Sequence, residues 1–283
     1  MVTVGQTRGV RLALSVGHYA ALGCYVIFAM FPLYWLIKIS VTPNNLLYTE
    51  GIRLWPSETT WTNYGFVLLQ SQFPTFFKNS VIVSLGTAAL VTIIAAAGGY
   101  AFSRFRFKGK LLIGFLLLLT QMFPLVMLIA PIFRLMTSIG LADSLTGLIV
   151  VYTAFNVPFA VFLMQSFFDG IPKDLEEAAM IDGCTRLMAL RRIIFPLTLP
   201  GLGATLGFVF TAAWSELLFA LMLINSNDQM TFAVGLLTFV SKFSVDFGQM
   251  MAAGVLALLP ACLFFAFIQR YLIQGLTAGA VKG

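Results

Sequence analysis

Apolar residues run through this chain in six long blocks separated by polar, turn-rich connections. The blocks cover residues 14–40, 77–103, 111–135, 145–168, 201–224 and 250–273. At about 1.5 Å per residue, a helix of that length crosses a hydrocarbon layer of about 30 Å. Helices are expected rather than strands, because a helix satisfies its own backbone hydrogen bonds in lipid and a lone strand does not. The pattern predicts an all-α membrane protein with six transmembrane helices and one transmembrane domain over residues 1–283.

Composition agrees with this picture. Hydrophobic residues make up 59% of the 283 and charged residues 10%, with a mean hydropathy of +0.94, too apolar for a water-soluble fold of this size. The first block follows only Arg8 and Arg11 and exceeds the core of a signal peptide, so it is read as an uncleaved helix. A net charge of +6 raises nucleic acid as a partner, but the basic residues do not cluster on an aromatic-studded soluble surface. They sort by side of the membrane instead. Arg8, Arg11, Arg104, Arg106, Lys108, Lys110, Lys173, Arg186, Arg191, Arg192, Arg270 and Lys282 fall on one set of connections and ends. The other set holds only Arg53, Lys78, Arg134 and Lys242, with Lys38 at a helix edge, so both termini are expected in the cytoplasm.

Of the external connections, 41–76 is rich in turn formers and aromatics and is expected to form an interfacial cap. A second, 225–249, carries Asp228, Gln229, Lys242 and Asp246 and could touch an external partner. The cytoplasmic connection 169–199 is the polar island of the chain. Pro172 suits the first turn of a short helix, and Asp174, Glu176 and Glu177 place negative charge at the positive end of its dipole. Gly183 suits the left-handed position after that helix, Thr185 caps a second one, and Pro196 and Pro200 mark the turn into the fifth span. On the first helix Leu175, Ala178, Ala179 and Asp182 share a face that is small at its centre. Two readings follow: a surface for another protein, or an amphipathic hairpin on the lipid with Arg191 and Arg192 near anionic headgroups.

The spacing of Glu177-Ala178-Ala179, Gly183, Ile193 and Pro196 decides between them, since E-A-A-x3-G-x9-I-x-x-P resembles the EAA loop of permease subunits of binding-protein-dependent ABC importers. Residues 99–110, GYAFSRFRFKGK, and 214–220, WSELLFA, are similar to segments of the carbohydrate-uptake class. The end, QGLTAGAVKG at 274–283, looks like the tail of MalG-like permeases. The resemblance covers nearly the whole chain after Phe28. It implies the ABC type I importer permease (MetI-like) fold in a bacterial inner membrane or archaeal plasma membrane. It further implies a second, MalF-like permease, an ATPase homodimer that binds the ATP and Mg²⁺, and an extracytoplasmic solute-binding protein. ATPase coupling is carried over to Glu177, Ala178, Ala179, Asp182, Gly183, Ile193 and Pro196. Tail contacts with the ATPase are carried over to Gly275, Leu276, Thr277, Gly279 and Lys282, with glycines keeping residues 275–283 extended.

No Walker A pattern occurs, so the chain is expected to be a non-catalytic subunit without a cofactor of its own. Cys24, Cys184 and Cys262 lie far apart and His18 is alone, which suggests neither a disulfide framework nor a metal site. Glu216 is the acidic residue set deepest in an apolar block. It requires a polar partner or a water-filled cavity, as a gate or as a structural carboxyl. With Gln121, Asn156, Trp214 and Ser215 it forms the candidate translocation path. Pro124, Pro131 and Pro158 are expected to kink their helices. The competing transport reading is an ion-coupled secondary transporter using Glu216.

Overall fold

The computed structural model describes residues 8–241 and 244–280. Two compact units make up the chain, one formed by the residues up to Gln70 with Phe239–Leu256, the other by Ser71–Thr238 with the residues from Ala257 onward.

The first unit opens with α1 (Arg8–Ser40), followed by the short α2 (Asn44–Leu47) and α3 (Thr62–Leu69). These short helices form the expected cap. Asn63 Nδ2 donates to the carbonyls of Ser40 and Thr42 at 3.0 and 3.2 Å, and Asn44 donates to both carboxylate oxygens of Asp246 at 3.1 Å. The cap thus ties the end of α1 to the segment that leads into the final helix.

The second unit is built around α4 (Phe73–Arg104) and α7 (Leu145–Asp169). Pro74 in the first turn lets α4 begin four residues ahead of the expected start, since a missing N–H costs nothing there. Ser144 caps α7 by accepting from Gly147 N at 3.0 Å. The two helices approach closely where the chain has Gly99: a Cβ there would lie 2.7 Å from Gln165 N and from Met164 Cβ. Small residues are the usual means of bringing membrane helices together. Pro158 lies inside α7 without interrupting it.

The third and fifth blocks are each broken into two helices. The third divides into α5 (Lys110–Thr120) and α6 (Leu125–Ser138), bent by 100°. Pro124 has no N–H to continue the first helix and disfavours helical backbone at Phe123, so hydrophobicity persists across the break while direction does not. The fifth divides into α11 (Leu199–Trp214) and α12 (Leu218–Leu223) at Ser215, Glu216 and Leu217. Between α7 and α11 lie α8 (Asp174–Ile181), α9 (Arg186–Ala189), a π-turn over Leu190–Ile194 and α10 (Phe195–Leu197); α10 and α11 meet at a 68° bend. The short α13 (Phe232–Gly235) precedes α14 (Phe247–Ala280).

Among the described residues four helices are long and apolar enough to cross a membrane, or up to six if each bent pair counts as one span. The helix α14 runs on through Gly275 and Gly279, so the backbone is helical to Ala280 where glycine content suggested an extended tail. Lys282 lies outside the described residues.

A loop clamp joins two connections on the second unit. Asp143, at φ 54°, accepts from Asn225 N and Ser226 N at 2.8 and 2.9 Å and from the Ser226 hydroxyl, while its own N–H donates to Leu223 O at 2.9 Å. The Ser226 hydroxyl, then the Ser226 and Asn225 amides, hold the carboxyl below its ordinary value. A lowered folded-state pKa contributes stability that is present above the unfolded value, about 4, and is lost as pH falls through the folded one. Asp143→Asn keeps tolerance of positive φ and removes the charge. We expect it to lower the melting temperature in detergent at pH 7, with the difference from wild type closing as pH drops below about 4. A difference unchanged down to pH 3 would contradict this.

Candidate functional site

The polar island folds as local chemistry dictates. Acidic residues occupy the first turn of α8, Gly183 adopts φ 88° just beyond it, and the Thr185 hydroxyl accepts from Met188 N at 3.3 Å to start α9. Pro172 stands two residues ahead of α8, with Lys173 at the cap, rather than inside its first turn.

The two faces of α8 differ sharply. Glu176 and Ala179 point inward, 6% and 5% exposed, while Leu175, Glu177, Ala178, Ile181 and Asp182 face outward. Ala179 therefore supports the helix from beneath instead of sharing the outer face expected for it. Leu187 continues the exposed apolar surface on α9. Ile193 is half-buried and Pro196 exposed at the turn into α11. The helix is thus held by its inner face and presents leucine, isoleucine and carboxylates outward.

What holds the inner face was not read from the sequence. Arg104, the last residue of α4, contacts Glu176 Oε1 through Nε at 2.6 Å, and the Tyr100 hydroxyl donates to Glu176 Oε2 at 3.1 Å. Arg104 Nη2 donates to Ile171 O at 2.9 Å, and Ser103 Oγ to Asp169 Oδ1 at 2.5 Å. A weak signal existed, since Glu176 stands three residues before Ala179 on one face of α8, but nothing local names Arg104 as its partner.

The second feature is a cavity of about 310 Å³ beside the two helix breaks. Gln121, Asn156 and Glu216 line it together with Tyr152, Phe155 and Phe219. Gln121 donates to Phe155 O at 3.2 Å across the α5–α6 bend, and Asn156 to Tyr152 O at 2.8 Å. Glu216 accepts from Phe219 N and Ala220 N at 3.0 and 3.2 Å, capping α12, and from the Tyr152 hydroxyl at 2.5 Å. Trp214 and Ser215 are not among the residues lining it. Trp214 is buried, stacked on Phe210 and edge-on to Phe77; Ser215 is exposed and bonds Thr211 O. A larger groove of about 600 Å³, lined by Ile93, Leu202, Leu206, Phe264 and Ile268, is almost wholly hydrocarbon.

Residues 88–278 match the model of the binding-protein-dependent transport system inner membrane component family. The chain belongs to this family. The permease is 37% identical over 270 residues to the trehalose transport system permease protein SugB of Mycobacterium tuberculosis, covering 94% of this chain and 97% of that protein. It is 35% identical to the trehalose/maltose transport system permease protein MalG of Thermococcus litoralis, with 91% and 93% covered. Its fold matches a solved chain of a bacterial ABC transporter that imports the acidic polysaccharide alginate, with TM-score 0.79, 23% identity and coverage of 95% and 99%. The permease is a non-catalytic subunit of an ABC importer, whose ATPase is a separate subunit. Among the described residues no group of three or more His, Cys, Asp or Glu side chains is placed to hold a metal.

Proposed function

We propose that this permease imports a sugar or sugar-like solute by alternating access, driven by an ATPase homodimer that docks on the outer faces of α8 and α9. The observation that carries the coupling is the outward presentation of Leu175, Glu177, Ala178 and Asp182 on a helix whose inner face is buried. Gly183, Ile193 and Pro196 shape the turn around it. ATP and Mg²⁺ belong to the ATPase. A second, MalF-like permease completes the path, and a solute-binding protein delivers substrate from outside.

In this reading the chain crosses six times, with α11 in the fifth crossing and α8 to α10 outside the membrane, and the excess of basic residues on one set of connections supports a cytoplasmic side for both termini and the coupling segment. Residues 275–280 continue toward that same side as helix, where Gly275, Leu276, Thr277 and Gly279 would meet the ATPase. The cavity lined by Gln121, Asn156 and Glu216 is the candidate station on the path: amide groups and a carboxylate between phenyl rings suit a polyhydroxylated solute. The sugar class rests on the relatives, which transport trehalose and maltose.

Uptake of labelled neutral disaccharides and oligosaccharides by cells with and without this chain tests the substrate class. We expect at least a tenfold loss for one member of the panel. Unchanged uptake across the whole panel would sink the sugar assignment.

A further inference from the structure

The coupling segment is joined through the chain to α7 on one side and to α11 on the other. It has no such link to α4, whose last residue stands 72 positions before Glu176. Yet the polar contacts of its inner face converge on the end of α4. Arg104 spends Nε on Glu176, Nη2 on the Ile171 carbonyl and Nη1 on Ser103 Oγ at 3.0 Å, while Ser103 in turn holds Asp169 at the end of α7. The side chains of Arg104 and Glu176 are 5% and 7% exposed. A charge pair so withdrawn from water is tenable only when the remaining donors and acceptors are also engaged, as they are here by Tyr100 and Ile171.

The rest of the α4–α7 seam has a different character. There Gly86, Gly98 and Gly99 of α4 meet Ile149, Val161 and Met164 of α7, and the buried hydroxyls of Ser84 and Thr87 on α4 and Thr153 on α7 have no hydrogen-bond partner. Dispersion contacts of this kind hold helices together without the fixed donor–acceptor geometry of a hydrogen bond. The directional bonds are concentrated at one end, where a planar guanidinium on α4 grips both α8 and the connection that leads into it.

We propose that Arg104 is the positioning residue through which displacement of the docked coupling helix reaches α4, with Glu176 and Tyr100 as its anchor. This rests on the docking reading given above. When the ATPase moves α8, Glu176 moves with it, and the fork of Arg104 makes the end of α4 follow. Without the fork, the Tyr100 hydroxyl on Glu176 and the stacking of Arg186 on Phe105 are the remaining side-chain ties to the end of α4, and most of the stroke passes through the covalent connections to α7 and α11. Lysine at 104 would keep the charge but supply a single point contact, losing the simultaneous hold on Glu176, Ile171 and Ser103.

The test is hydrogen–deuterium exchange on the full complex copurified from native membranes, with and without the magnesium salt of a non-hydrolysable ATP analogue. In wild type, nucleotide is expected to change exchange at residues 174–181 and 97–104 together. In Arg104→Lys, with its ATPase still copurifying, the response at 174–181 stays while that at 97–104 falls at least fivefold. Tyr100→Phe removes one arm of the anchor, and we expect at least a twofold fall at 97–104; it carries the test if the lysine variant does not assemble. A response at 97–104 equal to wild type in the variants overturns the proposal. Absence of any response at 174–181 in wild type overturns the docking reading itself, and this inference with it.

Discussion

Glu177→Lys is expected to strip the ATPase from the permease and to reduce uptake at least tenfold while the chain still inserts and folds. Two adjacent glutamates of α8 have opposite environments. The Glu176 carboxylate is buried against Arg104, and a lysine there would set two cations together out of water. Glu177 is exposed and its carboxylate has no side-chain partner among the described residues. Reversing its charge costs the fold only its favourable position in the first turn of α8, about 0.3–1 kcal/mol. So small a penalty cannot unfold the permease, and loss of the ATPase would report the surface itself. Copurification measured beside melting temperature checks this. A Glu177→Lys chain that retains its ATPase and full uptake would show that the outer face of α8 is not where the two meet.

Glu216→Ala is expected to destabilise the second unit by about 3 kcal/mol, the scale of losing charge-assisted hydrogen bonds and stranding their donors. The carboxylate serves Phe219 N, Ala220 N and the Tyr152 hydroxyl at once, so its loss uncaps α12 and frees that helix from α7. Glu216→Gln keeps an acceptor oxygen in place and should cost about 1 kcal/mol. ATP-driven uptake is expected to survive in the glutamine variant, because a carboxylate fixed by three donors positions the backbone and is poorly placed to carry ions. The ion-coupled alternative requires the reverse: a stable Glu216→Gln protein that no longer transports. Melting curves and uptake of the two variants, measured in parallel, separate these outcomes.

The parts of the molecule legible in the sequence are those governed by rules reaching a few residues. Gly183 had to take up a left-handed conformation after α8, Thr185 had to cap the next helix, and both do. Likewise Leu145 opens α7 where the apolar block begins. Hydropathy failed where direction mattered rather than composition. The blocks 111–135 and 201–224 are continuously apolar, and a window average carries no trace of the 100° bend before Pro124 or of the break at Glu216. Pro124 was visible and its kink anticipated, but nothing local to it gives an angle of 100°.

Distance along the chain explains the remainder. Arg104 entered the topology only as a positive charge at a helix end, and Glu176 only as one of three acids in a first turn. Their pairing spans 72 residues and is set by the packing of α4 on α7. The candidate path shows both outcomes: Gln121 from the α5–α6 break, Asn156 from α7 and Glu216 from the α11–α12 break converge on one cavity, whereas Trp214 and Ser215, just before Glu216 in sequence, do not line it. Neighbours along a helix face different surroundings, so proximity in sequence was a poor guide to membership of the cavity.

The central claim is that this permease works as one half of a membrane pair driven by a docked ATPase. It is tested most directly by isolating the chain, tagged at its N-terminus, from native membranes in mild detergent and quantifying what accompanies it. We expect one copy of a second permease and two copies of a Walker A ATPase for each copy of this chain. Recovery of the chain alone, or only with further copies of itself, in a preparation that still transports would contradict the account.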